Sequence, residues 1–112
     1  MRGSPSRRAI RLADMIQREL AQFLQEEVQD PRLELVTISG VRLNADLSIA
    51  KVFYTCADDP VRQEEIAVSL SKAKGYLRTL LGKRLNLRST PDLRFERDVF
   101  LEDMVYDRRH DG

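Results

Sequence analysis

Apolar residues recur at three- and four-residue steps from about Arg7 to Val28: Ile10, Ala13, Ile16 or Gln17, Leu20, Phe23 or Leu24, then Val28. That spacing draws one stripe along an α-helix. Ser6 is placed to cap its start, and Asp30-Pro31 ends it, because a proline ring disfavours helical geometry at the preceding residue. The pattern then changes to strand chemistry. Val36, Ile38, Val41 and Leu43 are apolar, but their alternation slips by one across Ser39-Gly40. The slip reads either as a β-bulge or as an ordinary strand with imperfect alternation. Asn44-Ala45-Asp46 supplies a turn. From Leu47 to Cys56 both faces carry apolar residues, Ile49 and Phe53 on one, Ala50, Val52 and Tyr54 on the other, which suits a central strand. Asp59-Pro60 opens a second helical region that runs to about residue 86 on Ile66, Leu70, Ala73, Leu77 and Leu80 or Leu81. Gly75 falls inside it and points to a break, a kink or a close approach of another backbone. Leu93 and Phe95 alternate with Arg94 and Glu96 as a short third strand. The order is α-β-β-α-(kink)-α-β, and the crossover between the second and third strands is long enough to make them parallel. The class is α+β, a three-stranded mixed sheet with helices packed on one face.

Length and composition narrow this picture. The chain has 112 residues, the size of one domain, with 42% hydrophobic and 33% charged residues. No apolar run approaches the ~18 residues of a membrane span, and the opening residues do not read as a secretory leader. Met-Arg-Gly-Ser resembles a cloning leader, so Arg2 carries little weight. A lone Cys56 rules out an intramolecular disulfide framework and fits a reducing, cytoplasmic compartment. Cys56 reads as a small strand residue rather than a nucleophile.

Enzyme readings find no support. There is no P-loop, Gly-rich nucleotide turn or HExxH motif. One Cys and one His cannot build a Cys/His metal site. Asp58-Asp59 and Glu102-Asp103 define no acid–base geometry, and His110 lies two residues from the end of the sequence, where nothing would hold it as a base.

The formal net charge is only +1, but the charges are segregated. Arg7, Arg8 and Arg11 precede any acid. The 26 residues from Ile66 to Pro91 contain no acid and carry Lys72, Lys74, Arg78, Lys83, Arg84 and Arg88. Acids dominate the middle of the chain and return from Asp98 onward. An acid-free run of this length favours an anion-binding surface over a solvated helix face, which normally mixes both signs. At its centre lies Ala73-Lys74-Gly75. A glycine at a helix junction lets a phosphate backbone come close, and a helix starting there would offer free N–H groups. The segment reads as a clamp for single-stranded or irregular RNA, or as a kinked core helix with solubilising cations.

These motifs resemble the ribosome-binding factor A family. The resemblance runs from about Arg7 to Met104. It rests on Asp30-Pro31-Arg32-Leu33, Ser39-Gly40-Val41, Asp46-Leu47 with Ala50-Lys51-Val52, Ala73-Lys74-Gly75 with Leu77-Arg78, Leu80-Leu81-Gly82-Lys83, Pro91-Asp92-Leu93-Arg94-Phe95, and Asp98. It implies a type II KH-like domain over residues 6–98, in which an Ala-x-Gly kink stands where ordinary KH domains have a GxxG loop. Residues 99–112 would form an acidic C-terminal extension, partly ordered or flexible. Many members of the family carry a longer, charged extension.

The resemblance implies a non-catalytic, monomeric factor without cofactor. Its partners would be the free 30S subunit and the 5′-terminal helix region of 16S rRNA. It would assist late 30S maturation and 16S rRNA processing and support growth in the cold. The expected RNA-binding residues are Arg7, Arg8, Arg11, Lys72, Lys74, Gly75, Arg78, Lys83, Arg84 and Arg88. The alternatives are a protein–protein module that binds a basic ribosomal protein through its acidic surface, and a structural or small-ligand domain.

Overall fold

The computed structural model describes residues 6–56, 59–102 and 104. The elements are α1 (Arg7–Glu26), a 3-10 helix (Pro31–Leu35), β1 (Thr37–Leu43), β2 (Ile49–Thr55), α2 (Pro60–Arg84) and β3 (Asp92–Arg97). The Ser6 hydroxyl accepts from the Ala9 N–H and Asp59 accepts from Val61, so both long helices begin at the caps their sequences offer. Asp30 caps the 3-10 turn by accepting from the Arg32 N–H, with Pro31 as its first residue. The apolar pattern alone does not signal that turn.

β2 is the central strand, antiparallel to β1 and parallel to β3. Ile38 pairs with Tyr54 and Gly40 with Phe53, which leaves Ser39 as a one-residue bulge. Without it, Ile38 and Leu43 would point to opposite faces, since they are an odd number of residues apart; with it, both are buried. α1 packs on β1, and α2 packs on β3, α1 and the 3-10 turn. The core between helices and sheet is built on Ile16, Leu20, Phe23, Val52, Ile66, Leu77, Leu81 and Leu93. Ile10, expected in the stripe of α1, is 56% exposed, and Ala9 takes the buried position.

The crossover departs from expectation in one respect. α2 is a single helix of 25 residues that passes through Gly75 without interruption. Its buried positions, Ile66, Leu70, Leu77 and Leu81, with half-buried Ala73 between them, keep one phase across the glycine. A change of phase would have been needed to favour two helices. The Thr79 hydroxyl donates to the Gly75 carbonyl at 3.1 Å, an i−4 contact of a kind that often bends helices. Gly75 therefore offers no free helix-start N–H groups.

β3 leads into a helical turn at residues 99–102, capped by Asp98, which accepts from the Leu101 N–H at 3.0 Å. Glu102 ties this turn back to the sheet through Arg97 at 3.4 Å. Arg2, Asp58, Asp103, His110 and the rest of the acidic extension after Met104 lie outside the described residues.

Candidate nucleic-acid interface

Arg7, Arg8 and Arg11 lie in the first turns of α1 and are exposed. The first turn contains no acid. Arg7 and Arg8, at the positive end of the helix dipole, are each unfavourable by about 0.3–1 kcal/mol, and Arg11 follows one turn on. The structure adds a fourth. Arg88 joins these three in lining a cleft of about 660 Å³, with Leu12, Met15 and Leu87 as its apolar wall and Asp46 as the single acid among its described residues.

Two local structures shape this cleft. α2 ends in a Schellman motif: the Leu87 N–H donates to the Gly82 carbonyl at 2.9 Å and the Asn86 N–H to the Lys83 carbonyl at 3.3 Å. Asn86 adopts the left-handed conformation the motif needs, φ 54°. Opposite, the β1–β2 turn is pinned by Asp46, which accepts from the Ser48 hydroxyl at 2.6 Å and its N–H at 3.1 Å. These bonds, led by the hydroxyl, hold the Asp46 carboxyl below its ordinary range. The turn forces Leu47 to φ 63°, a strained value for a bulky residue, at the rim of the arginine cleft.

The remaining expected residues do not share this cleft. The Arg78 guanidinium donates from Nε to the Pro91 carbonyl at 3.1 Å and from Nη2 to the Thr90 carbonyl at 2.9 Å. It fastens the loop before β3 to α2. Arg84 lies over the Phe23 ring at 5.6 Å and 3.6 Å from Glu19, whose Oε1 is buried without a hydrogen-bond donor. Its first role is thus within the fold. Lys83 is exposed on the last turn of α2, and Lys74 is half-buried in mid-helix. Lys72 lines a separate cleft beside Glu64 and Glu65. Gly75 is exposed, and a Cβ placed on it meets nothing within 4 Å, so no packing inside the molecule requires a glycine there. Gly82 is the reverse case: its Cβ would stand 2.8 Å from the Thr90 hydroxyl.

Sequence reasoning missed a row of cations across the open face of the sheet. Arg42 pairs with Lys51 and Lys51 with Arg94. Only the strand register reveals this row. It is largely neutralised locally, Lys51 by Glu96 at 3.2 Å and Arg94 by Asp92 at 3.5 Å, while Arg42 lies 5.9 Å from the Phe53 ring centroid. Among the described residues the arginine cleft has no comparable acid complement. Cys56 is half-buried, and burial, then the Glu102 carboxylate, push its thiol above the ordinary value, which suits a structural residue. Among the described residues no group of three or more His, Cys, Asp or Glu could hold a metal ion, and no helix is long and apolar enough to cross a membrane.

Fold and site together define a KH-like α+β domain with an arginine-lined cleft. Residues 8–107 match the family model for ribosome-binding factor A. The chain is 50% identical over 93 residues to ribosome-binding factor A of Pseudomonas paraeruginosa, covering 81% of this chain and 73% of that protein. It is 41% identical over 105 residues to that of Cupriavidus pinatubonensis, covering 93% and 84%. The crystal structure of the Thermus thermophilus factor is similar with a TM-score of 0.70 at 31% identity, over 80% of this chain and 94% of that one. A Thermus thermophilus model fitted into a cryo-EM map of a complex with the 30S subunit gives 0.66 at 32% identity, over 79% and 92%. The chain belongs to the ribosome-binding factor A family, a family of ribosome-binding factors rather than enzymes.

Proposed function

We propose that this protein is a non-catalytic assembly factor that binds the free 30S subunit by gripping 16S rRNA phosphates in the Arg7–Arg8–Arg11–Arg88 cleft. The observation that carries the reading is the convergence of these four side chains, from the two ends of the domain sequence, on one cleft with a single acid among its described residues. Cations crowded at a helix N-terminus are a cost to the free protein that an anionic partner removes. The relative whose homology model was fitted into the map of a 30S complex supports the partner.

Lys74, Lys83 and the exposed Gly75 supply further contacts along α2, where the bare glycine lets a sugar–phosphate chain approach. Such contacts position the protein on folded RNA without reading its sequence. On this reading it acts as a cytoplasmic monomer near the 5′-terminal helix region, assists late maturation and 16S rRNA processing, and matters most for growth in the cold.

The test is co-sedimentation of the Arg8→Glu/Arg88→Glu variant with free 30S subunits. Association should fall at least about tenfold with the circular dichroism spectrum unchanged. Its salt dependence should also become shallower, by roughly 0.7 in the log–log slope for each phosphate of single-stranded RNA that the variant no longer neutralises. Association at the wild-type level would refute the cleft as the docking site.

A further inference from the structure

A second groove lies between the 3-10 turn and the stretch of α2 from Glu64 to Tyr76, and the arginine site does not use it. It encloses about 490 Å³. Leu33, fully buried, and Ala73 form its floor, while Val68 and Tyr76 stand at its sides 44% and 50% exposed. On α2, Glu65, Val68, Lys72 and Tyr76 follow at steps of three and four and so share one face, separate from the core stripe through Ile66, Leu70 and Leu77.

The rim is charged. Glu27, Asp30, Glu64 and Glu65 stand against Arg32 and Lys72, and Arg32 is already ion-paired to Asp30 at 3.2 Å. Burial, the largest single influence on Asp30, pushes its carboxyl up. Hydrogen bonds from the Arg32 N–H and the Ser69 side chain, with the Arg32 charge, outweigh it and hold the group below its ordinary value.

An apolar trough with two large exposed side chains and an acidic rim has a specific complement. We infer that this groove docks a basic peptide segment of a partner protein, with one apolar side chain seated between Val68 and Tyr76 and flanking Lys or Arg side chains on Glu64, Glu65 and Glu27. Nucleic acid is disfavoured here because the rim repels phosphate. A second copy of this chain could present its arginine pole to the groove, but that contact joins unlike surfaces and propagates head to tail rather than closing into a dimer.

The test uses the whole protein and a fluorescein-labelled 12-residue Lys/Arg-rich peptide with one central Leu, beside a control with Ser at that position. Binding is read by anisotropy and located by amide shifts in NMR spectra. The Leu peptide should shift Val68, Ser69 and Tyr76. Glu64→Lys/Glu65→Lys should weaken it at least about tenfold, and Tyr76→Ala should weaken it several-fold with little change in salt dependence. Arg8→Glu/Arg88→Glu should leave it intact, which separates this site from the 30S-binding one.

Equal binding of the Leu and Ser peptides would overturn the proposal, since only diffuse attraction to acids would then be at work. Shifts confined to other surfaces would also overturn it, as would unaltered binding by the Glu variants. Sedimentation that grows with protein concentration and is abolished by the same Glu variants would replace the peptide with a second copy.

Discussion

The Ser39 hydroxyl donates to Asp98 at 2.7 Å across 59 residues of sequence. Ser39 is the bulged residue of β1, and Asp98 follows β3, so the bond ties the two outer strands together across the C-terminal part of β2, beside Tyr54. The Asp98 carboxylate has two duties. One oxygen accepts from Ser39 and the other from the Leu101 N–H. Ser39→Ala should cost about 1.5–3 kcal/mol, the range for a hydrogen bond to a charged group. Asp98→Ala should cost more, by about 1 kcal/mol, because it also removes a helix cap. Urea denaturation of both single variants and the double variant checks this. If the two losses simply add, the bond contributes nothing of its own.

The two glycines of α2 should respond differently. Gly75→Ala fills open space in a helix interior, so it should raise stability by about 1 kcal/mol while lowering 30S association. Gly75→Val should lower association further. Gly82→Ala should bring no such gain, because the new methyl meets the Thr90 hydroxyl and the β-branched Thr90 side chain turns aside only at a cost. Melting temperatures and co-sedimentation decide the matter. Wild-type association by both Gly75 variants would remove that residue from the interface.

Arg78 should behave as a structural residue first. Arg78→Lys keeps the charge but cannot reproduce the two-pronged bond to the Thr90 and Pro91 carbonyls. It should cost more than about 1.5 kcal/mol in urea denaturation. Stability equal to wild type would show that the loop holds without it. Charge reversal at Arg78 is therefore a poor probe of RNA binding, whereas Arg8 and Arg88 are exposed and suited to it.

Acid should act through Asp30 and Asp46. Both carboxyls are held below the ordinary value of 3.8. A depressed value means that the folded state holds the proton less tightly than the unfolded state. The stabilisation is thus complete above the ordinary value and is lost as pH falls through the folded one. Asp30→Asn should lower stability at neutral pH, where the wild type holds this contribution in full, and flatten the acid limb of the stability curve below about pH 4. An identical acid limb in the variant would show that Asp30 is not coupled to folding.

Much of the fold could be read along the chain because its signals are local. Ser6 and Asp59 announce helix starts, the slip at Ser39-Gly40 leaves a bulge or an imperfect strand, of which the structure has the bulge, and a strand apolar on both faces suits a central place. The site was less legible. Arg11 and Arg88 meet only because α1 and the end of α2 pack together, and no local pattern encodes that. Arg78 looked like a free cation because its partners are backbone carbonyls, which have no signature in side-chain sequence. Gly75 looked like a break because a lone glycine weakens a helix, yet an apolar stripe that stays in phase was enough to carry the helix through it.

The direction of charge along α1 has a consequence for how the molecule meets its target. Arginines occupy its start, and Glu26 and Glu27 its end, with no acid in the first turn and no base in the last. Both ends oppose the helix's own dipole, so side chains override the backbone field along a rod about 30 Å long. A polyanion approached at random would turn such a body before touching it. On the proposed reading the arginine end would lead, and salt would slow arrival as well as loosen the hold.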